Sequence, residues 1–307
     1  MRDAGLVGVI GADSLVGRSL VPLLGQTARG VLACSRQAAL VAEPVQGGVH
    51  PHRTGGPLPA GSAVVPSWIT LCPLWAVPDQ FAWLEQLGAA HVVALSSMST
   101  VTKAASPDAA ERALATRLTA SEARLSAWAA DRGIRLTLLV PTMIYDGRTD
   151  GNVAAIAAWV RRFGWFPLCG PALGLRQPVH AGDVAAACLA AIDRRPAQAR
   201  YTLSGGEALP FRELVERVCR AHGLVPRTLR LPPWAWSVAA ALARALGFAG
   251  GATVGMARRM NEDLSCDHAA AEADLGFHPR PFDPRGDTLA EAEGRVETRP
   301  DLRWDDR

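Results

Sequence analysis

The chain has 307 residues, of which 49% are hydrophobic and 20% charged, and its net charge is +3. That length and composition suit one large domain or two modest ones with a real core, and exclude a chain disordered over most of its length. The 32 basic residues against 29 acidic ones lack the footprint of a nucleic-acid binder, and the basic set is lopsided, with Lys103 the one lysine beside 31 arginines.

The first half alternates short apolar runs with helical patterns. A strand is expected over 6–12, a helix over 14–26 and a second strand over 30–36. Residues 43–66, rich in Gly, Pro and His, promise one weak strand and loops. Strands follow over 67–75, 91–97 and 135–145, with helices over 79–88 and 109–133 between them. Such alternation means βαβ units and a parallel sheet, and the uninterrupted apolar strands expect helices on both faces. From about Pro167 the texture changes to shorter helices broken by Pro and Gly. Asp183 is placed to cap a helix over 184–193, and Pro210 precedes a helix over 211–223. The charged, proline-punctuated tail after about Asp287 is expected to be mobile.

Six scattered cysteines include no CxxC pair, so no metal site is expected, and buried free thiols in a reducing, cytoplasmic setting are. The first 17 residues lack the pattern of a signal peptide. Residues 234–257 are long enough to span a membrane, but Arg244 near the middle and several glycines argue for an Ala-rich, partly buried helix. Membrane contact is therefore not expected.

The run Gly11-Ala12-Asp13-Ser14-Leu15-Val16-Gly17 ends the first strand and opens the first helix. Gly11 suits a tight turn, and Gly17 suits close packing of helix on strand. A helix N-terminus at this place offers amides and a positive dipole to a pyrophosphate. Ser14 stands where a middle glycine is usual; its Cβ limits backbone approach, while its hydroxyl is itself able to meet a phosphate oxygen. The competing reading is a purely structural strand–helix turn. The second strand ends at Ser35-Arg36 with no acid to hold ribose hydroxyls. Either these two residues take the 2′-phosphate of NADP, or Arg36 is one more surface arginine; NADP is favoured over NAD.

Here the chain resembles the extended short-chain dehydrogenases/reductases, in the NAD-dependent epimerase/dehydratase branch. The resemblance rests on the glycine loop, the strand end VVALSSMST, the run RLTLLVPTMIYDG, the segment RQPVHAGDVAAACLAAI, and the later YTLSGGEALPFRELVERV and DLGFHPRPF. It covers roughly residues 6 to 285. It implies a Rossmann-type doubly wound parallel sheet over 1–165 that binds NAD(P). A smaller substrate-binding part over 166–290 is interleaved with the first, and 291–307 form a tail. The cofactor contacts it implies are Gly11 to Gly17, Ser35 and Arg36, with Cys72, Ser96 and Pro141 at the strand ends. It also implies a small-molecule substrate such as a nucleotide-sugar, and a homodimer as is common among relatives.

The family's chemistry normally rests on a YxxxK pair, in which a tyrosine moves the proton and a lysine ammonium lowers its pKa. The chain contains only Tyr145 and Tyr201, and Lys103 follows neither. Registering the long helix on Glu122 puts Leu114 and Leu118 where the pair would stand. This departure is shared with atypical members whose catalytic pair is altered or absent.

Other proton carriers are Ser97 and Ser99, after the strand that ends beside the nicotinamide, against which stands a role in local turns. Lys103 follows closely; a compact, deprotonatable ammonium does chemistry that a guanidinium does not, though most lysines are simply exposed. Tyr145 is a further acid/base candidate, with a structural role as its alternative. Arg176 is placed to meet a substrate phosphate. Two functions stay open: an atypical NAD(P)-dependent oxidoreductase or epimerase, and a non-catalytic NADP-binding sensor or scaffold. A membrane-associated protein anchored by 234–257 is a weaker third.

Overall fold

The computed structural model describes residues 5–27, 29–36, 49–56, 64–194, 196, 198–245 and 254–285. The expected tail lies outside them, as do parts of the loop region before residue 66 and of the 234–257 stretch.

Along the chain run β1 (Val7–Ile10), α1 (Gly17–Gly25), β2 (Val31–Ser35), β3 (Val49–Arg53), β4 (Ser67–Thr70), α2 (Phe81–Gln86) and β5 (His91–Leu95). Then come α3 (Ser99–Thr102), α4 (Ala109–Asp131), β6 (Arg135–Pro141), β7 (Ile144–Tyr145), α5 (Val153–Phe163), β8 (Phe166–Cys169), β9 (Leu175–Arg176) and β10 (Val179–His180). The remainder forms α6 (Ala181–Arg194), β11 (Arg200–Leu203), β12 (Leu209–Pro210), α7 (Phe211–Ala221), β13 (Thr228–Leu231), α8 (Pro233–Ala245), α9 (Val254–Arg259) and α10 (Ala269–Leu275).

Seven strands form one parallel sheet in the order β11-β6-β5-β4-β1-β2-β3. This is the doubly wound Rossmann arrangement, with its strand order reversing between β1 and β4. The period of two in each strand divides its side chains between two cores. Val7, Val9, Ile69, Val93 and Leu139 join α1, α6 and α10 on one face. Ile10, Trp68, Val92, Ala94 and Leu138 join α2 and α4 on the other. Gly8 is required by this second core, because a Cβ there would lie 2.3 Å from the buried Trp68 ring. A third core gathers α5, β8, α7 and α8 around Leu168, Leu214, Val218 and Trp236.

Several boundaries differ from the sequence expectation for local reasons. The first helix starts at Gly17, because residues 11–16 are spent on the turn. The strand from 67 stops at Thr70, ahead of Pro73 and a 3-10 turn over Leu74–Ala76. The run 135–145 breaks into β6 and β7. Asp183 is not a cap: α6 begins two residues earlier, and the Asp183 carboxylate instead accepts from the Arg280 backbone amide and Nε, both at 2.9 Å. The chain returns to the first sheet late: β11 pairs with β6, and α6 and α10 cover the face that α1 also covers.

Candidate functional site

At the sheet's point of strand reversal, β1 passes into the glycine turn. Gly11 adopts φ +83°, and a Cβ on it would stand 2.9 Å from the backbone nitrogen of Cys72 after β4. Gly17 is equally confined, its would-be Cβ lying 2.4 Å from the Ala12 carbonyl oxygen. Both glycines are therefore fixed by close backbone approach. Within the turn, the amides of Gly11 and Ala12 bond to the Cys34 carbonyl, and that of Ser14 to the Gly11 carbonyl. The amides of Asp13, Leu15 and Val16 have no hydrogen-bond partner among the described residues. Ser14 Oγ accepts from the Gly17 amide at 3.1 Å, which ties the turn to the first residue of the helix and leaves the hydroxyl proton without an acceptor among the described residues. No acidic residue lies in the first turn of α1. The result is a helix N-terminus with open donors and a positive end, the arrangement that holds a phosphate.

At the end of β2, Arg36 is exposed while Ser35 is buried at 1% exposure. Arg36 is thus the accessible one of the pair expected to receive a 2′-phosphate. Cys72 is half-buried; burial pushes its thiol up to about 11, against a smaller opposing pull from its own backbone and from the Arg36 charge.

Beside this turn lies a cleft of about 500 Å³. It is lined by Leu15 from the glycine turn, by Ser96, Ser97 and Ser99 after β5, and by Lys103 and Pro141. The ends of β5 and β6 are tied together there, the Ser96 amide bonding to the Leu139 carbonyl and the Met98 amide to the Pro141 carbonyl. Ser97 Oγ accepts from the Ser99 amide at 3.1 Å, which leaves the hydroxyl proton unassigned to any acceptor among the described residues. Ser96 is differently placed: its hydroxyl donates to Glu122 of α4, whose carboxylate also faces Arg200 at 3.4 Å.

Lys103 is half-buried, and its Nζ has no hydrogen-bond partner among the described residues. Its pKa is lowered, first by burial; Glu111 and Asp108 oppose this, and Arg259 adds to it. Glu111 accepts from Ser106 Oγ at 2.6 Å and pairs closely with Arg259. Burial pushes the Glu111 carboxyl up, but those two bonds and the nearby charges outweigh it, so it is held below the usual range.

Tyr145 does not reach the cleft. It is fully buried, edge-on to His180 and Phe282, and its hydroxyl accepts from the Asp283 amide at 3.2 Å. Burial is the main reason its phenol is pushed up to about 12. A phenol so placed is a packing element, and the acid/base role expected of it has no route to a ligand. Arg176 does line the cleft, yet its guanidinium donates to three backbone carbonyls, those of Leu175 (2.7 Å), Glu262 (3.0 Å) and Arg259. Burial, and then the Arg259 charge, lower its pKa to about 10.

On α4, Leu118 is 6% exposed and Leu114 partly buried. Both belong to the apolar cluster that includes Cys72 and Trp75. Glu122 follows on the same face at the next helical turn and touches Ser96. Asp150 also lines the cleft, a residue that carries no motif in the sequence. Its Oδ1 accepts from the amides of Asn152 (2.8 Å) and Val153 (2.5 Å) at the start of α5, and an acidic residue just before an apolar helix was the available signal.

No protein-family model and no curated protein matches the chain in sequence. Solved structures do match its fold. MoeE5, in complex with UDP-glucuronic acid and NAD, is 22% identical over 92% of this chain and 96% of its own, with a TM-score of 0.65. The UDP-glucose 4-epimerase of Thermotoga maritima, solved with UDP-glucose, is 14% identical over 92% and 96%, with a TM-score of 0.61. RMD from Pseudomonas aeruginosa, complexed with NADPH, is 17% identical over 91% and 96%, with a TM-score of 0.60. The chain therefore shares the fold of these structures along nearly its whole length.

Proposed function

We propose that the chain is an NAD(P)-dependent oxidoreductase or epimerase of the extended short-chain type, acting on a nucleotide-sugar or similar polar small molecule without a Tyr–Lys pair. The observation that carries this reading is the adjoining of a phosphate-ready turn, with its open Leu15 and Val16 amides, to a cleft holding Ser97, Ser99 and Lys103. The turn fits a dinucleotide: its glycines let the backbone close tightly, and its Asp13, Leu15 and Val16 amides have no partner among the described residues. Gly11 to Gly17 would hold the pyrophosphate, Arg36 a 2′-phosphate, and Cys72, Ser96 and Pro141 would flank the strand ends. When bound, such a cofactor supplies hydride transfer.

The chain's own residues then handle the proton. Lys103, whose Nζ has no hydrogen-bond partner among the described residues and whose ammonium is disfavoured by burial, gives or takes the proton at a substrate hydroxyl. The Ser97 hydroxyl, whose proton has no acceptor among the described residues, orients that same oxygen. Structures of this fold with UDP-glucose, UDP-glucuronic acid or NADPH bound support the choice of ligand classes by analogy. The six free thiols fit a reducing, cytoplasmic setting, and assembly as a homodimer is part of the proposal.

The test is a substrate panel of nucleotide-sugars with wild type, Ser97→Ala and Lys103→Met. Loss of turnover with cofactor affinity intact is the expected result; unchanged turnover in both variants sinks the assignment. A second reading, a non-catalytic NADP-binding sensor, draws on Leu114 and Leu118, which fill the expected Tyr and Lys positions with apolar packing. It predicts cofactor binding and no turnover across the panel.

A further inference from the structure

Two stretches of the sequence, 151–182 and 217–261, contain no aspartate or glutamate. At the chain's average of 29 acids in 307 residues, segments of their combined length would hold about seven. They carry ten arginines instead. Some of these are neutralised from outside: Arg217 by Glu207 and Glu213, Arg220 by Glu216, Arg258 by Glu262 and Arg259 by Glu111. Arg162, Arg227 and Arg230 are exposed and face no carboxylate among the described residues.

The fold brings these stretches to one region. At the end of α5, Trp159 and Phe163 are exposed with their rings 4.4 Å apart, and Arg162 lies over Phe163. The left-handed Gly164 then turns the chain to the exposed Trp165 and into β8. Strand β13 lies parallel to β8 with Leu229 opposite Pro167. Strand periodicity therefore sets Trp165, Arg227 and Leu229 on one face of this ribbon. The chain leaves β13 directly into α8, where Trp236 is 2% exposed and pins the helix to the third core. Trp234 and Val238, one helical turn apart, are turned outward, Trp234 at 73% exposure.

We propose that this face binds an anionic phospholipid surface, with Trp234, Val238 and Trp165 entering the headgroup layer and Arg162 and Arg227 meeting lipid phosphates. Exposed tryptophans with arginines that face no carboxylate among the described residues, on stretches that themselves carry no acid, are the chemistry of interfacial attachment. A nucleic acid would use the arginines but leave the exposed Val225, Leu229 and Val238 without a role. Among the described residues no helix is long and apolar enough to cross a membrane, and the attachment proposed is peripheral. This proposal is independent of the cofactor site.

The experiment is flotation of the full chain with phosphatidylcholine vesicles, with and without about 30% phosphatidylglycerol. The chain is expected to float with the anionic vesicles and to stay behind with the neutral ones. Neutralising Arg162 and Arg227 together by glutamine should weaken binding about 25-fold, near fivefold for each charge. Trp234→Ser should weaken it severalfold; its side chain is exposed, so the fold is kept, and an unchanged far-UV spectrum checks this. Failure to float with anionic vesicles overturns the proposal. So does flotation indifferent to both Trp234→Ser and Val238→Ser, which would mean charge alone, or binding of duplex DNA as tight as that of the vesicles.

Discussion

Gly11→Ala probes the hinge of the phosphate turn. Its φ of +83° is disfavoured for a residue with a Cβ, at a cost of about 1–2 kcal/mol. The new methyl would also stand 2.9 Å from the Cys72 backbone nitrogen, which no side-chain rotation relieves. Overpacking of that kind adds about 1–3 kcal/mol. Together these give about 2–5 kcal/mol, against a whole-domain stability of about 5–15 kcal/mol. The variant therefore folds but is weakened, and its turn is displaced where the phosphate is to sit. Urea unfolding followed by circular dichroism, with the slope unchanged, measures the first effect. Titration with NADP measures the second, expected as a loss of about tenfold or more. The steric argument at this turn is wrong if stability falls by less than about 1 kcal/mol and affinity is unchanged.

Lys103→Arg should fail to restore the turnover lost in Lys103→Met, because a guanidinium does not give up its proton in this range; equal activity of the arginine variant in the sugar-nucleotide assay would contradict this. Since the Lys103 pKa is lowered in the folded chain, the unfolded chain binds this proton more tightly, and stability should rise with pH up to the ordinary value of 10.5. Denaturation curves across that window should show the rise flattened in Lys103→Met. Arg36→Ala is expected to weaken NADP binding about 10–100-fold and to leave NAD unchanged, as competitive titration would show. Burial pushes the thiols of Cys34 and Cys188 up to about 12 and places Cys169 and Cys219 inside as well. Ellman's reagent should therefore label these four slowly in the folded chain and all six at once in denaturant; rapid labelling of all six in the folded chain would contradict the burial.

The sheet and the glycine turn were legible because both are local. A strand's apolar run, a turn's glycines and a helix's period are each written within about a dozen residues. Leu15, Ser96, Ser97, Ser99, Lys103 and Pro141 are brought around one cleft for the same reason: strand ends in such a sheet share an edge. What was not legible depends on distant partners. Ser96 is held by Glu122, 26 residues away, and nothing in VVALSS announces that bond. Arg176 read as a phosphate ligand because its carbonyl partners, Glu262 and Arg259, lie more than 80 residues on. Tyr145 read as a proton carrier because its burial comes from Phe282 and Asp283, at the far end of the chain. Asp183 looked like a cap, yet its carboxylate is taken by Arg280 across the return to the first sheet.

The central claim is that the turn from Gly11 to Gly17 holds a dinucleotide phosphate, with Arg36 selecting the phosphorylated form. Calorimetric titration of the purified chain with NADP(H) and with NAD(H) tests it most directly. Saturable binding of both, tighter for NADP(H), is the predicted result. No binding of either would contradict the account, leaving Ser14 as the residue that closes the phosphate site and the fold as a scaffold.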